Sequence, residues 1–398
     1  MSVGSRERLV DVDPKQRQRI LSDLIKRIDA LHAGPFDLIA SADTSSLFLG
    51  SLLAEALQLP MAYVRPKPKG HGRQKQVEGK IGEGDRTLIV ADTETAAEPV
   101  ARAVEVVDTL GGRVAGCLVV MPGDRVELAA YFGDRPELVW DLISALAEQQ
   151  RADDAPAPIA LIGRGGDPKS ARSTLSGQER VALALLDVGA VAINRREPFT
   201  YASGLLSPIY TDCRLLLTNP DQWGAVIDGF VELLRSEVSL ESFDLLSGVA
   251  TSGIPHAALV AGRLDLPMAY LTFPEGGPAS GIVEGSIEAG DRVVMIEDLP
   301  TTGQSVLKSV AAIRDRGAIV EWCLGIFSYG SPVAAKNFND EQVQLRTLCD
   351  IKTLLSVAKD HGRIEAADEA AVLDWLDAPS TWADRQKGSG ASSSVAPG

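Results

Sequence analysis

The chain has 398 residues, 45% of them hydrophobic and 23% charged, and a formal net charge of −15. That length and apolar content suit two globular domains with sizeable cores. The negative field disfavours broad contact with nucleic acid or an anionic membrane surface and confines any phosphate site to a local patch. No stretch is apolar and long enough to span a bilayer and the first residues lack a signal-peptide core, so the expected compartment is the cytoplasm. Cys117, Cys213, Cys323 and Cys349 are scattered without a CxxC pair, which predicts buried free thiols.

In chain order, a helix is expected near residues 16–33. It is followed by a strand at "FDLIAS" from Phe36 and a second at "LQLPMAYV" around Pro60. A loop crowded with cations, "RPKPKGHGRQKQVEG", leads into the buried strand "TLIVAD" and the helix "AEPVARAVEVVDTLGG". A further helix is expected near 136–149, then a linker rich in Ala, Pro, Gly and charge. From there the pattern returns. "FDLLSG" starts at Phe243, 207 residues after Phe36; "LDLPMAYL" carries Pro267, 207 after Pro60; and "EGSIEAGDRVVMIED" places Asp298 206 after Asp92. A period this long makes each copy a whole domain rather than a solenoid unit. The expected boundaries are 1–150, a linker at 151–174, a second domain at 175–385 and a flexible tail at 386–398. Strands alternating with helices imply, in each copy, an α/β domain with a mainly parallel twisted sheet flanked by helices. Ligands of such sheets sit at the carboxyl ends of the strands.

Two constellations stand out. In "RVVMIEDLPTTGQSVLKSV" a buried strand runs into Glu297 and Asp298, then into Leu299, Pro300, Thr301, Thr302, Gly303, Gln304 and Ser305 at the start of a helix. Amides and hydroxyls at a helix N-terminus bind a phosphate monoester, and the paired carboxylates suit ribose hydroxyls or a bridging Mg2+. The other is the basic loop, with Arg65, Lys67, Lys69, His71, Arg73 and Lys75. Its counterpart "YLTFPEGGPASGIVEG" has lost every one of those cations while keeping the flanking "MAY" and "EG". A merely solubilising loop has no reason to survive in one copy alone. Gly248, Thr251, Ser252 and Gly253 form a third element suited to cradling pyrophosphate through backbone amides, and His256 within it reads as a helix-start residue rather than a catalyst. Phe199, Tyr201, Ser203, Gly204, Ser207, Pro208 and Tyr210 read as an aromatic cover for a planar base.

With these motifs in place, the chain resembles a tandem of orotate phosphoribosyltransferase domains of the type I phosphoribosyltransferase family. The second half is similar over nearly its whole length, from "REPFTYASGLLSPIYTDCR" through "GVATSGIPHAALVA" and "EDLPTTGQS" to "WLDAPSTW"; the first half resembles only the core from about Phe36 to about Val120. The resemblance implies transfer of the phosphoribosyl group of 5-phosphoribosyl 1-pyrophosphate (PRPP) to orotate in pyrimidine biosynthesis, with Mg2+ held through PRPP and no direct protein ligand. In the family the basic loop of one subunit closes over the sugar-phosphate site of the other. The implied arrangement here is an intramolecular pseudo-dimer with one shared active site. Arg65, Lys69, His71 and Arg73 would act as catalytic cations with Lys67 on PRPP; Glu297 and Asp298 would hold ribose, and Thr301 to Ser305 the 5-phosphate. Thr301, Phe199, Ser203 and Tyr210 would face orotate. Further homo-oligomerisation is left open.

Two departures bear on this. Pro66 stands where many members have Lys, and "IFSYGS" lacks the Arg that in some members contacts the orotate carboxylate. The first half's own phosphate segment reads "IVADTETAAEP": Ala91 replaces the Glu, Ala96 and Ala97 replace Thr and Gly, Pro99 replaces Ser, and Glu94 and Glu98 add repulsion. That site is expected to be dead and to lack an aromatic cover before Phe36. The competing readings are a noncatalytic PRPP- or nucleotide-sensing module and a phosphoribosyltransferase for another base.

Overall fold

The computed structural model describes residues 8–30, 35–67, 76–92, 97–119, 139–141, 175–201, 204–274, 276–382 and 385. The expected linker at 151–174 and tail at 386–398 lie outside them. In the first half, α1 (Pro14–Ala30) leads to β1 (Leu38–Ser41), α2 (Leu47–Leu57), β2 (Met61–Val64), β3 (Val77–Glu78), β4 (Arg86–Ala91), α3 (Ala97–Thr109), β5 (Arg113–Val119) and β6 (Val139–Asp141). The six strands form one sheet in the order β3-β2-β1-β4-β5-β6, parallel throughout except for the short edge strand β3.

The second half opens with α4 (Gly177–Asp187), whose Ser176 and Glu179 make a reciprocal capping box. Residues 191–211 form two small antiparallel sheets: β7 (Val191–Ile193) pairs with β10 (Ile209–Thr211), and β8 (Phe199–Thr200) with β9 (Leu206–Ser207). After α5 (Pro220–Leu233) come β11 (Leu245–Val249), α6 (Gly253–Leu264), β12 (Met268–Thr272), β13 (Ile282–Glu284), β14 (Arg292–Glu297), α7 (Gln304–Arg314), β15 (Ile319–Ser328), α8 (Pro332–Asp340) and β16 (Gln344–Asp350). Helices α9 (Ile351–Asp360) and α10 (Ala366–Asp377) follow. The second large sheet repeats the first, β13-β12-β11-β14-β15-β16, with β13 antiparallel. Strands β4 and β14 are buried continuously over their last five residues, as expected for parallel strands covered on both faces. In each sheet the order turns back between β1 and β4, or between β11 and β14, leaving a crevice at their carboxyl ends.

Two expectations need correction. Residues 139–141 of the span expected as helix form strand β6, because Val139, Trp140 and Asp141 extend the ladder beside Cys117–Val119. The rest of that span lies outside the described residues. The repeat also reaches beyond Phe36–Val120. Pro14 and Pro220 open α1 and α5, 206 apart, after Asp13 and Asn219, which accept backbone N–H bonds there. Val139 and Leu345, again 206 apart, occupy the same rung beside Cys117 and Cys323. The exposed face of an amphipathic helix and an edge strand retain geometry while their residues drift, so identity fades there first. Among the described residues the first half has no counterpart of the small sheets at 191–211.

The halves meet through α2 against α6. One apolar cluster containing Leu21, Leu49, Leu53, Trp223, Ala257 and Leu259 spans both. Around it, Arg263 Nη2 lies 2.6 Å from Glu55 Oε1, Gln18 Nε2 donates to the Gly262 carbonyl at 3.1 Å, and Arg17 Nη1 to that of Leu266 at 3.3 Å. Burial raises the Glu55 carboxyl pKa, with Arg263 opposing. Removing one partner of such a buried pair typically costs about 3 to 5 kcal/mol. All four cysteines are free and buried. Among the described residues no helix is long and apolar enough to cross a membrane.

Candidate active site

The end of β14 delivers Glu297 and Asp298 to the crevice, and the turn Leu299–Gly303 then opens α7. The turn is built tightly. Gly303 has φ 81°, and a Cβ there would lie 2.6 Å from the Phe338 ring; a Cβ on Gly325 would meet Pro300 at 2.9 Å. Thr301 N–H donates to the Leu299 carbonyl at 2.9 Å, and Asn337 Nδ2 donates to that of Thr302 at 2.9 Å. Thr301, Thr302, Gln304 and Ser305 are exposed, and no side chain caps the helix. Its first amides therefore point free partial positive charge at the crevice.

Glu297 is buried and its Oε2 has no hydrogen-bond partner. Burial first, then the neighbouring Asp298 charge, push its carboxyl well above the usual range. Asp298 is half-buried; its Oδ1 accepts from Ser252 Oγ at 3.1 Å and from Leu299 N–H at 2.8 Å. Burial raises its pKa too, while the Arg214 charge and those hydrogen bonds act against the rise. The Ser252 bond ties the end of β14, where the Leu299–Gly303 turn begins, to the turn between β11 and α6. There a Cβ on Gly253 would lie 2.3 Å from the Ile296 carbonyl and one on Gly248 2.7 Å from Ile254 Cα, so these backbones meet only because both positions are glycine.

The first half enters this crevice through Arg65, just beyond β2. Its Nε donates to Glu78 Oε1 at 2.6 Å, and its Nη2 to Thr251 Oγ1 of the second half at 3.4 Å. Arg214 of the second half reaches the same Glu78 Oε1 at 3.0 Å and grips Asp212 with Nε and Nη2 at 2.5 and 2.9 Å. Burial opposes the Arg214 charge, but the Asp212 and Glu78 bonds raise its pKa above the ordinary value. Lys67 is exposed. Lys69, His71 and Arg73, with Ser203 of the aromatic cover, lie outside the described residues.

The Phe199 and Tyr210 rings are tilted at 37° with centroids 5.7 Å apart, and Tyr201 lies 6.3 Å from Tyr210 and 6.1 Å from Trp375. Tyr329 Oη donates to Thr211 Oγ1 at 2.7 Å and Trp375 Nε1 to the Leu206 carbonyl at 3.0 Å, anchoring the cover to the second half's core. His256 is buried in α6, its Nδ1 accepting from Trp223 Nε1 at 2.9 Å; burial pushes its pKa down to about 3. It is a neutral core residue, as its place at a helix start suggested.

Asp212, Arg214, Glu78, Tyr329 and Trp375 were not singled out in the sequence. For Glu78 a signal existed, since it and Glu284 occupy the same "VEG" 206 residues apart.

At the equivalent place in the first half, Asp92 is 1% exposed and its Oδ1 has no partner; burial pushes its carboxyl up to about 7, with Arg8 opposing. Residues 93–96, including Glu94 and Ala96, lie outside the described residues. Glu98 does not add a free charge there: it pairs with Arg102 Nη1 at 2.5 Å, and Arg102 Nη2 donates to the Ala42 carbonyl at 3.2 Å. The i, i+4 spacing within α3 sets this exposed carboxylate beside a cation.

No protein-family model matches the chain. An orotate phosphoribosyltransferase of Coxiella burnetii is 40% identical over 203 residues, covering 51% of this chain and 96% of that protein. One of Streptococcus gordonii is 40% identical over 205 residues, 51% of this chain and 97% of that protein. The solved orotate phosphoribosyltransferase from Aeropyrum pernix is 30% identical, with a TM-score of 0.40 over 46% of this chain and 99% of that one. At that level of identity, over almost the full length of those relatives, the chain belongs to the orotate phosphoribosyltransferase family.

Proposed function

We propose that this protein converts orotate and PRPP to orotidine 5-monophosphate and pyrophosphate, at one active site per chain shared between the halves of an intramolecular pseudo-dimer. In this reading residues 1–150 are the loop-donating domain, 151–174 the linker, 175–385 the PRPP-holding domain and 386–398 a tail, and the protein works in the cytoplasm. The observation that carries it is the 3.4 Å contact of Arg65, from the half with the basic loop, with Thr251 in the half with the carboxylate pair and open phosphate turn.

The helix N-terminus at Gly303–Ser305 and the hydroxyls of Thr301 and Thr302 would take the 5-phosphate, and Glu297 and Asp298 the ribose hydroxyls. Glu297 Oε2, buried and unpartnered, fits a ligand that donates to it. The turn at Thr251–Gly253 would hold pyrophosphate. As the C1–oxygen bond breaks, its electron pair leaves with pyrophosphate, while a ring nitrogen of orotate bonds to C1 and gives up its N–H proton, which the departing pyrophosphate can carry off. Arg65, with Lys69, His71 and Arg73, would stabilise the charge gathering on the leaving group; one such donor is worth roughly 3 to 4 kcal/mol. Among the described residues no group of three His, Cys, Asp or Glu side chains could cage a metal ion. Mg2+ carried by PRPP would neutralise part of the pyrophosphate charge. Phe199 and Tyr210 would cover orotate.

Orotate consumption followed by absorbance, with and without PRPP and Mg2+, tests this reading. Loss is expected only with both. Turnover of uracil, hypoxanthine or adenine in place of orotate would overturn the base assignment, and binding of PRPP without any turnover would favour a sensor.

A further inference from the structure

Resting on the shared-site reading, we propose that Glu78 is a positioning residue, which aims the first half's Arg65 at the pyrophosphate side of the second half's site by clamping it against Arg214. One carboxylate oxygen does both tasks: Glu78 Oε1 accepts from Arg65 Nε at 2.6 Å and from Arg214 Nη1 at 3.0 Å. Arg214 is fixed by its two-pronged grip on Asp212, the geometry that makes an arginine fork directional. Glu78 is fixed by its place in β3, paired with Tyr63, and its side chain is only 5% exposed. A rigid relay therefore runs from Asp212 through Arg214 and Glu78 to Arg65 and ends at Thr251 Oγ1. Two guanidinium and two carboxylate groups cancel in formal charge, so what the relay supplies is direction. An arginine on a free stem samples many rotamers and delivers its charge to a developing anion only part of the time.

The molecule contains its own control. Arg8 and Arg214 are 206 residues apart, as are Glu78 and Glu284, and Arg8 pairs with Glu284 across the other crossing of the two halves. Thr272 stands there where Arg65 stands on this side. Both glutamates therefore join the halves, but only Glu78 also holds a second arginine over a turn of the opposite half. A role limited to interface stability would make them equivalent.

The test compares Glu78→Gln with Glu284→Gln in the full chain, by steady-state kinetics, thermal melting and crystal structures. Glu78→Gln is expected to lower kcat by about tenfold to a hundredfold, the scale for a misplaced catalytic group. The KM for PRPP should stay level or fall, because a negative charge has been removed beside a polyanion. Glu284→Gln should leave kcat and KM unchanged while lowering the melting temperature about as much. Glu78→Asp should recover part of kcat, and Arg214→Lys, which keeps the charge but gives up the fork, should lose it again even if Glu78→Gln folds poorly. The crystal structures read the Arg65 guanidinium without turnover: it should leave Thr251 in Glu78→Gln and remain in Glu284→Gln. If the unmodified protein consumes no orotate, the functional reading fails, while the position of Arg65 in the two variants still decides the proposal. Equal kcat losses in both variants, or an Arg65 that keeps its place without Glu78, would overturn it.

Discussion

At the carboxyl end of the same strand in two sheets of identical order, the second half carries Glu297–Asp298 and the first carries Ala91–Asp92. Asp298 is half-buried and bonded to Ser252 and the Leu299 amide, whereas Asp92 is sealed off with an unpartnered Oδ1 and a carboxyl pushed up to about 7. The same residue in the same topology is a half-buried, hydrogen-bonded acid in one copy and a buried, costly one in the other. A fold that joins two copies across α2 and α6 can lose one site without losing the enzyme, provided the surviving parts face each other.

The strongest way to break that comparison is to separate the halves. With a protease site placed between Asp153 and Ser173, the cleaved chain should stay associated and active. Each half isolated under denaturant and refolded alone should be inactive, and activity should return when they are refolded together. An isolated second half with full turnover would end the shared-site reading. Next in size, Lys69→Ala in the intact chain should lower kcat by about two orders of magnitude, as for loss of a transition-state donor.

A finer contrast is Asp298→Asn against Asp92→Asn. Calorimetric titration should give about one PRPP per chain, weakened at least about tenfold, or roughly 1.4 kcal/mol, by Asp298→Asn and left unchanged by Asp92→Asn. Two equivalent PRPP sites would show that the first copy also binds.

The last contrast concerns stability and pH rather than activity. Because the folded Asp92 carboxyl titrates at about 7, above the ~4 of an unfolded chain, its contribution to stability is full below about pH 4 and is lost as pH rises through about 7. His256 runs the other way: held near 3 by burial, it contributes fully above about pH 6.5 and loses that contribution as pH falls toward 3. Asp92→Asn should therefore gain on the unmodified protein between pH 5 and pH 8, by on the order of 3 kcal/mol at most. Melting curves at the two pH values check it; a gain that does not grow with pH would mean Asp92 is ionised without penalty.

The duplication, the α/β class, the tight turn after Glu297–Asp298 and the uneven distribution of cations were legible in the residues alone, because buried parallel strands and glycine-dependent turns admit few residues. The sequence placed "RPKPKGHGRQKQVEG" and "EDLPTTGQS" in opposite copies, which is the ground of the shared-site proposal. It lost the repeat at α1 and β6, where exposed helix faces and edge strands tolerate almost any polar residue. Glu98 looked like a free repelling charge until α3 set it one turn from Arg102. Only the packed molecule shows what lies across the boundary between the halves: Arg65 on Thr251, Arg214 on Glu78, Arg263 on Glu55. Those partners are more than a hundred residues apart, and no local periodicity encodes a contact whose only cause is how two completed domains pack.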